Sequence, residues 1–406
     1  MSSLLLYISV GFFRHQGQIW CESQAKNGLR LWARHFDRLT VVARCDAAAP
    51  PEGYEPLLGD EEWAPRVAFE WVPSAWTLRR FLPALPNVTR RYRRLINEHD
   101  RAVFGLGGVI GAWGAVGAVL AGCMGRPYAV WTDRVVSEVM REDAKAVSGL
   151  SRIKREVDWR LSRRLDAHLV RHSALGLFHG ASTFEAFSPI CPNPHIVHDS
   201  HVSAAQVLTD AELAEKQDSL KGAETIRIVY AGRAALMKGP LDWVKAIAGL
   251  REAGIDLSAL WVGDGPLLEQ AKARASELGV ADIIEFPGFI SDRETVLRVL
   301  SEAHILMFCH KTPESPRILI ESMSRGTPIV GYGDAFSADL LQSVEAGVLT
   351  EKNDLKRLVD AVASLSVDRP RLANMMTAAR DRGRDFTDEA VFRHRSEVIL
   401  EELPIA

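Results

Sequence analysis

The amino-acid sequence predicts an α/β protein made of two doubly wound, Rossmann-like domains. Its 406 residues exceed the roughly 250–300 at which a single core stops growing, so two or three domains are expected. Short apolar runs alternate with segments of helical period, the pattern of a parallel sheet covered on both faces. The alternation lapses once, at Pro189–Gln206, and then begins again.

The opening run at Leu4–Val10 is apolar and uncharged, as a strand buried on both faces should be. Further strands are expected at Leu39–Ala43, Ala68–Val72, Ala102–Leu106, Tyr128–Trp131 and Ala167–Val170, with helices between them. The second series begins with IRIVYAG (Ile226–Gly232) and a helix from Leu241, then LSALWVG (Leu257–Gly263) and a helix from Leu267. It ends with IIEF (Ile283–Phe286), ILMFC (Ile305–Cys309) and PIVGY (Pro328–Tyr332). Between the series, Pro189, Pro192 and Pro194 interrupt any period, so the hinge is expected here. Residues 1–200 then form one domain and residues 201–385 the other. A last helix, from about Asp388 to Leu403 within 386–406, is available to pack back on the first domain. Two such sheets facing each other would gather the carboxyl ends of their strands around one cleft, where folds of this type bind ligands.

Composition narrows the class. Hydrophobic residues at 47% and charged residues at 25% exclude a disordered, collagenous or polytopic membrane protein. The net charge of -3 is unevenly divided, +5 over residues 1–200 and -8 over the remainder. Cys21, Cys45, Cys123, Cys191 and Cys309 are odd in number and without metal spacing, which suits a reducing cytosol. The apolar start runs into Arg14 and His15 without a cationic leader or a small-residue cleavage site, so it is expected to be a strand and not a signal peptide. Ala102–Gly125 is uncharged over 24 residues, but eight of these are glycine. A buried strand, a glycine turn and a core helix are expected there in preference to a membrane span.

In VYAGRAALMKGP, Arg233 follows a strand and a glycine, and Lys238 precedes a helix whose Leu241, Val244 and Ala248 form an apolar stripe. A bidentate guanidinium and a point charge placed together suit a diphosphate. In HKTPESPRILIESMSRGTPIVGY, Glu314 precedes a turn and Glu321 lies seven residues on, in a short helix ending at Gly326. Two turns of helix put both carboxylates on one side, where they suit sugar hydroxyls. Free amides at Ser315, Pro316 excepted, and Arg317 add an anion or hydroxyl site. The plainer reading has Glu314 capping the helix and Glu321 paired with Arg317.

These stretches, with the WVGDGP turn (Trp261–Pro266), FPGFIS (Phe286–Ser291) and ESPRILIESMSRGTPIV, resemble the retaining glycosyltransferases of the large group 1 class, family four. The resemblance covers Ile226 to about Leu365, is architectural over the front half, and implies the two-domain GT-B fold. It assigns Arg233 and Lys238 to the donor diphosphate, Glu321 to the nucleotide ribose, and the first Glu of an E-x7-E pair to the transferred sugar. By the same resemblance Gly232, Gly263, Phe289 and Ile290 line the donor site. Here Pro313 stands eight residues before Glu321 and the nearest carboxylate is Glu314, so the pair is E-x6-E. A departing nucleoside diphosphate needs charge stabilisation more than a proton, and Arg233 and Lys238 supply it. The chain has no D-x-D motif, so a metal-free, cofactor-free reaction is expected.

The front half offers further candidates. Gly17, in GFFRHQGQIW, resembles the glycine of a loop that approaches donor phosphates, or else serves only a turn. Gly105–Gly111 reads as a strand-to-helix turn, with packing preferred to binding because Ile110 breaks G-x-G-x-x-G. Relatives place a His after the strand equivalent to Tyr128–Thr132, where this chain has Asp133; it accepts the acceptor's proton, holds a donor hydroxyl or caps a helix. His179, before Gly180, falls on an expected cleft loop, with a structural role preferred.

Two segments are rich in arginine: Arg79, Arg80, Arg90, Arg91, Arg93 and Arg94, then Arg152, Lys154, Arg155, Arg160, Arg163 and Arg164. Interleaved Phe81, Leu82, Tyr92 and Trp159 make them amphipathic, suited equally to a solvated face or to anionic lipid. Nucleic acid is not expected, because no recognition motif accompanies the arginines. The leading expectation is a cytoplasmic bacterial enzyme, peripheral on the inner face of the plasma membrane where lipid is contacted. It would move a sugar from a nucleotide donor to a lipid-linked or polysaccharide acceptor in cell-surface glycan synthesis. A sugar-nucleotide epimerase of similar architecture and a catalytically silent sugar-nucleotide-binding or scaffold protein are the alternatives.

Overall fold

The structure, a computed structural model, describes residues 2–51, 53–57, 61–145, 149–312 and 315–405. The chain divides into two compact units, one up to His198 together with the residues from Phe392 on, the other Asp199–Val391.

In the first unit the strands are β1 (Ser3–His15), β2 (Gln18–Glu22), β3 (Arg38–Asp46), β4 (Tyr54–Pro56), β5 (Val67–Val72), β6 (Arg101–Gly105), β7 (Ala129–Thr132), β8 (Leu175–His179) and β9 (Pro194–Val197). Parallel pairing gives the order β5-β3-β1-β6-β7-β8-β9. Leu5 sits between Thr40 and Ala102 in this register. Leu4, Leu5 and Leu6 are wholly buried, which is why the run is continuous and does not alternate. Trp113, at the start of helix Trp113–Cys123, donates its indole N–H to the Pro73 carbonyl at 2.8 Å, and Tyr128, just before β7, donates its hydroxyl to the Leu169 carbonyl at 2.9 Å, so both large side chains are buried with their polar ends satisfied. Ala102–Gly125 forms β6, a glycine turn and helix Trp113–Cys123. Gly114 allows the helix onto the sheet, since a Cβ there would lie 2.1 Å from the Gly105 carbonyl oxygen. Among the described residues no helix is long and apolar enough to cross a membrane.

In the second unit the strands are β10 (Ile226–Ala231), β11 (Leu257–Val262), β12 (Ile284–Gly288), β13 (Ile305–Phe308), β14 (Ile329–Tyr332) and β15 (Gly347–Thr350), all parallel, in the order β12-β11-β10-β13-β14-β15. Numbered from the start of the unit this is 3-2-1-4-5-6, the doubly wound order of dinucleotide-binding sheets. Trp243 and Trp261 meet edge to face at 5.4 Å in its core, and Trp243 donates to the Met307 carbonyl at 2.9 Å. Lys216 is buried and donates to the carbonyls of Leu300 and Arg325 and to the Thr327 hydroxyl, which meets the full donor capacity of an ammonium.

Four local expectations are corrected. Ala167–Val170 is no strand but the last turn of helix Gly149–Arg171; Leu169 and Val170 continue its buried face, and the strand comes after the Ser173 break, at β8. The proline-rich hinge contains β9, which tolerates Pro194 as the first residue of an edge strand. The segment after Val10 is no loop: β1 runs on to His15 and folds back antiparallel as β2. Gln16 and Gly17, with φ of 51° and 78°, form the tight turn, whose paired positive φ values match the twist of a two-residue hairpin. Tyr92 faces the core of its unit and does not join the basic surface.

Candidate donor site

A doubly wound sheet opens a crevice where successive connections leave in opposite directions, beyond the carboxyl ends of the strands. In the second unit that point lies between β10 and β13. Arg233 follows β10 after Gly232 and is exposed, and Lys238 closes the short 3-10 turn Leu236–Lys238 before helix Pro240–Glu252. The Lys311 amide, after β13, donates to the Met237 carbonyl at 2.8 Å and ties the two loops together. The turn after β11 packs beneath Arg233, with the Gly232 amide on the Val262 carbonyl and the Ala234 amide on the Asp264 carbonyl at 2.8 and 2.9 Å. Gly263 is bonded in turn to the Gly288 carbonyl at 2.8 Å, and Phe289, just beyond it, is strongly exposed with Ile290 half-buried. One strip of backbone therefore holds Gly232, Arg233, Gly263 and the Phe289 loop at the same end of the sheet.

Glu321 lies on helix Arg317–Ser324, which starts at Arg317 with Pro316 as its cap and Ser315 before it. Glu314 and Pro313 lie outside the described residues. The alternative reading, in which Glu321 pairs with Arg317, is not what the structure has. Arg317 donates to the Asp199 carboxylate at 2.8 Å, and Glu321 accepts from Arg293 at 3.0 Å. Arg317 is tied down sideways because its neighbour in the fold, though not in the sequence, is the segment that opens the unit.

His310, at the end of β13, accepts or donates at 2.8 Å with the Tyr230 hydroxyl of β10. Burial, with Lys238 nearby, pushes its imidazole down to about 3, so at neutral pH it is an uncharged neighbour of the Lys238 ammonium.

In the first unit, Gly17 sits in the hairpin turn with open space around its Cα. Asp133 follows β7 and is exposed, with the Arg134 guanidinium at 3.9 Å. The turn there is made by Thr132, whose hydroxyl donates to the Arg134 carbonyl at 2.7 Å. His179, for which a cleft loop was expected with a structural role preferred, is the last residue of the neighbouring strand β8 and is buried. Asp133 and His179 thus end adjacent strands of one sheet.

Residues 212–382 match the family described as Glycosyl transferases group 1. The matched stretch lies wholly within the second unit. Related sequences include 2-deoxystreptamine glucosyltransferase of Streptomyces kanamyceticus, 29% identical over 38% of this chain and 40% of that one. Another is GDP-mannose-dependent alpha-(1-6)-phosphatidylinositol monomannoside mannosyltransferase of Mycobacterium tuberculosis, 26% identical over 42% and 46%. The chain spans less than half the length of these relatives. Among solved structures, Anabaena Alr3699/HepE in complex with UDP superposes with a TM-score of 0.67 at 15% identity, covering 98% of this chain and 100% of that one. WaaG, a glycosyltransferase involved in lipopolysaccharide biosynthesis, gives 0.62 at 12% over 98% and 100%. At these identities the structures speak for the fold, which both units share with them. In the second unit, sequence reading missed His310 and Arg293. The His-Lys pair directly after ILMFC was a usable signal for the first; nothing local announces the second.

Proposed function

We propose that the protein is a retaining, metal-independent hexosyltransferase that moves a sugar from a nucleoside diphosphate donor to a lipid-linked or polysaccharide acceptor in bacterial cell-surface glycan synthesis. The placement of Arg233 and Lys238 at the switch point of a group 1 domain carries this reading. As the bond from the sugar's C1 to the diphosphate breaks, negative charge gathers on phosphate oxygens. Two fixed cations there are worth about 3–4 kcal/mol each, by analogy with single oxyanion donors. In the second unit Glu321 takes the ribose hydroxyls, Glu314 the transferred sugar, and Gly232, Gly263, Phe289, Ile290, Ser315, Pro316 and Arg317 line the donor; in the first unit Gly17, Asp133 and His179 are the proposed site residues.

A lipid-linked acceptor is favoured by the surface of the first unit, in keeping with the phosphatidylinositol monomannoside named for one relative. Ile153, Val157 and Leu161 form an exposed stripe along helix Gly149–Arg171, and Arg152, Lys154, Arg155, Arg160, Arg163 and Arg164 are exposed around it. Apolar residues at i, i+4 and i+8 bordered by cations suit a helix lying on anionic lipid.

The test is incubation of the full chain with UDP-glucose or GDP-mannose and a bacterial lipid extract. Extract-dependent release of nucleoside diphosphate, with product of unchanged anomeric configuration, is the expected result. Acceptor-independent release with an altered sugar would favour an epimerase, and donor binding without release a silent binding protein.

A further inference from the structure

We infer that Arg293 is a positioning residue for the nucleotide ribose, holding the Glu321 carboxylate in place by tethering it to the His201 carbonyl. The inference rests on the reading of Glu321 as the ribose acceptor. Arg293 is the first residue of helix Arg293–Glu302, immediately after its Asp292 cap. The amino end of a helix is the wrong end for a cation, so a guanidinium kept there calls for a partner outside its own helix. It has two. One guanidinium nitrogen donates to Glu321 Oε1 at 3.0 Å and the other to the His201 carbonyl oxygen at 3.0 Å. Because the guanidinium is planar and rigid, bonds from its two arms fix both partners at once.

The geometry leaves Glu321 ready for a diol. Its contact to Arg293 uses one carboxylate oxygen, and a carboxylate has about four acceptor sites, so the second oxygen remains to accept ribose hydroxyls. Glu321 is 13% exposed and Arg293 36%, so the pair is partly withdrawn from water and weakly screened. Leu319, Ile320 and Met323 bury the inner face of the Glu321 helix, which holds the backbone rigid and leaves the carboxylate's direction to Arg293. The His201 end of the tether is itself anchored. Asp199 accepts from Arg317, the Gln206 carbonyl accepts from Arg325, and Gln206 donates to Glu294 at 3.0 Å.

Calorimetric titration of the full chain with UDP, GDP, their 2′,3′-dideoxy analogues and inorganic pyrophosphate tests this. Wild type is expected to bind one ribonucleotide at least tenfold more tightly than its dideoxy form. Arg293→Ala should shrink that ratio at least fivefold while leaving pyrophosphate affinity and melting temperature unchanged, and Arg293→Lys should restore part of it. Glu321→Ala should bring the ratio near one and make a further Arg293→Ala change silent. An unchanged ratio in Arg293→Ala, beside a collapsed one in Glu321→Ala, overturns the inference and leaves the ribose reading standing. A ratio unchanged in Glu321→Ala, or a wild type that binds neither nucleotide, removes the ribose reading and the inference with it. Parallel loss of pyrophosphate and nucleotide binding in Arg293→Ala would show a purely structural residue and also overturn it.

Discussion

The Gly263 Cα lies so close to the Gly232 carbonyl that a Cβ on it would stand 2.2 Å from that oxygen. Gly263 also holds φ at 135°, where L side chains are strained. The contact joins the loops after β10 and β11, and so the seat of Arg233.

Gly263→Ala is therefore expected to lose about 3 kcal/mol of stability, the combined scale of backbone strain and overpacking. Urea denaturation reads this directly. A variant as stable as wild type would mean that the two loops separate freely, contrary to the packing described.

Arg233→Ala and Lys238→Ala should each reduce transfer about 10²- to 10³-fold, the range for loss of one preorganised charge contact, with little change in melting temperature for the exposed Arg233. Transfer by wild type should continue in excess EDTA, since these cations carry the leaving-group charge. Steady-state assays with and without chelator check both statements. Mutant rates within threefold of wild type, or EDTA inhibition reversed by Mg²⁺, would refute the donor assignment.

Asp166 is buried, accepts from the Ser162 hydroxyl at 3.3 Å, and leaves Oδ1 without a hydrogen-bond partner among the described residues. Burial pushes its carboxyl up to about 7, against the lowering effect of that hydrogen bond. The folded chain thus keeps a proton that an unfolded aspartate, at ~3.9, has lost. Stability should fall as pH rises from about 4 to 7, by at most ~1.4 kcal/mol per unit from this group, and the loss should be complete above 7. Asp166→Asn should flatten that slope and be more stable than wild type at pH 8. Melting curves across pH decide it; parallel curves for the two proteins would show that Asp166 does not titrate in this window.

The first unit should sediment with vesicles containing anionic lipid and release them as salt rises, since surface attraction decays over about 8 Å at physiological ionic strength. Replacing Arg152, Lys154, Arg163 and Arg164 by Glu should abolish binding and spare turnover of a short soluble acceptor. Arg91 and Arg94 are unsuitable for this test because both pair with Glu70, at 2.7 and 3.0 Å. Failure of wild type to sediment at low salt would leave the exposed Ile153, Val157 and Leu161 stripe without a lipid role.

Hydrophobic runs and their spacing determined the two parallel sheets, because a strand covered on both faces must be apolar throughout and a covering helix must be apolar every third or fourth residue. The positions of Arg233 and Lys238 were legible for the same reason, since they are set by immediate neighbours, a strand, a glycine and a helix start. Ala167–Val170 misled because a short apolar run fits the end of a helix as well as a strand. Folding alone could choose the partners of groups distant along the chain. Glu321 bonds Arg293, 28 residues away, in preference to Arg317 one turn before it, and Tyr230 meets His310 across 80 residues. A side chain's charge is written locally, but its nearest opposite charge is set by which strands and loops the sheet order brings together, and no local spacing encodes that order.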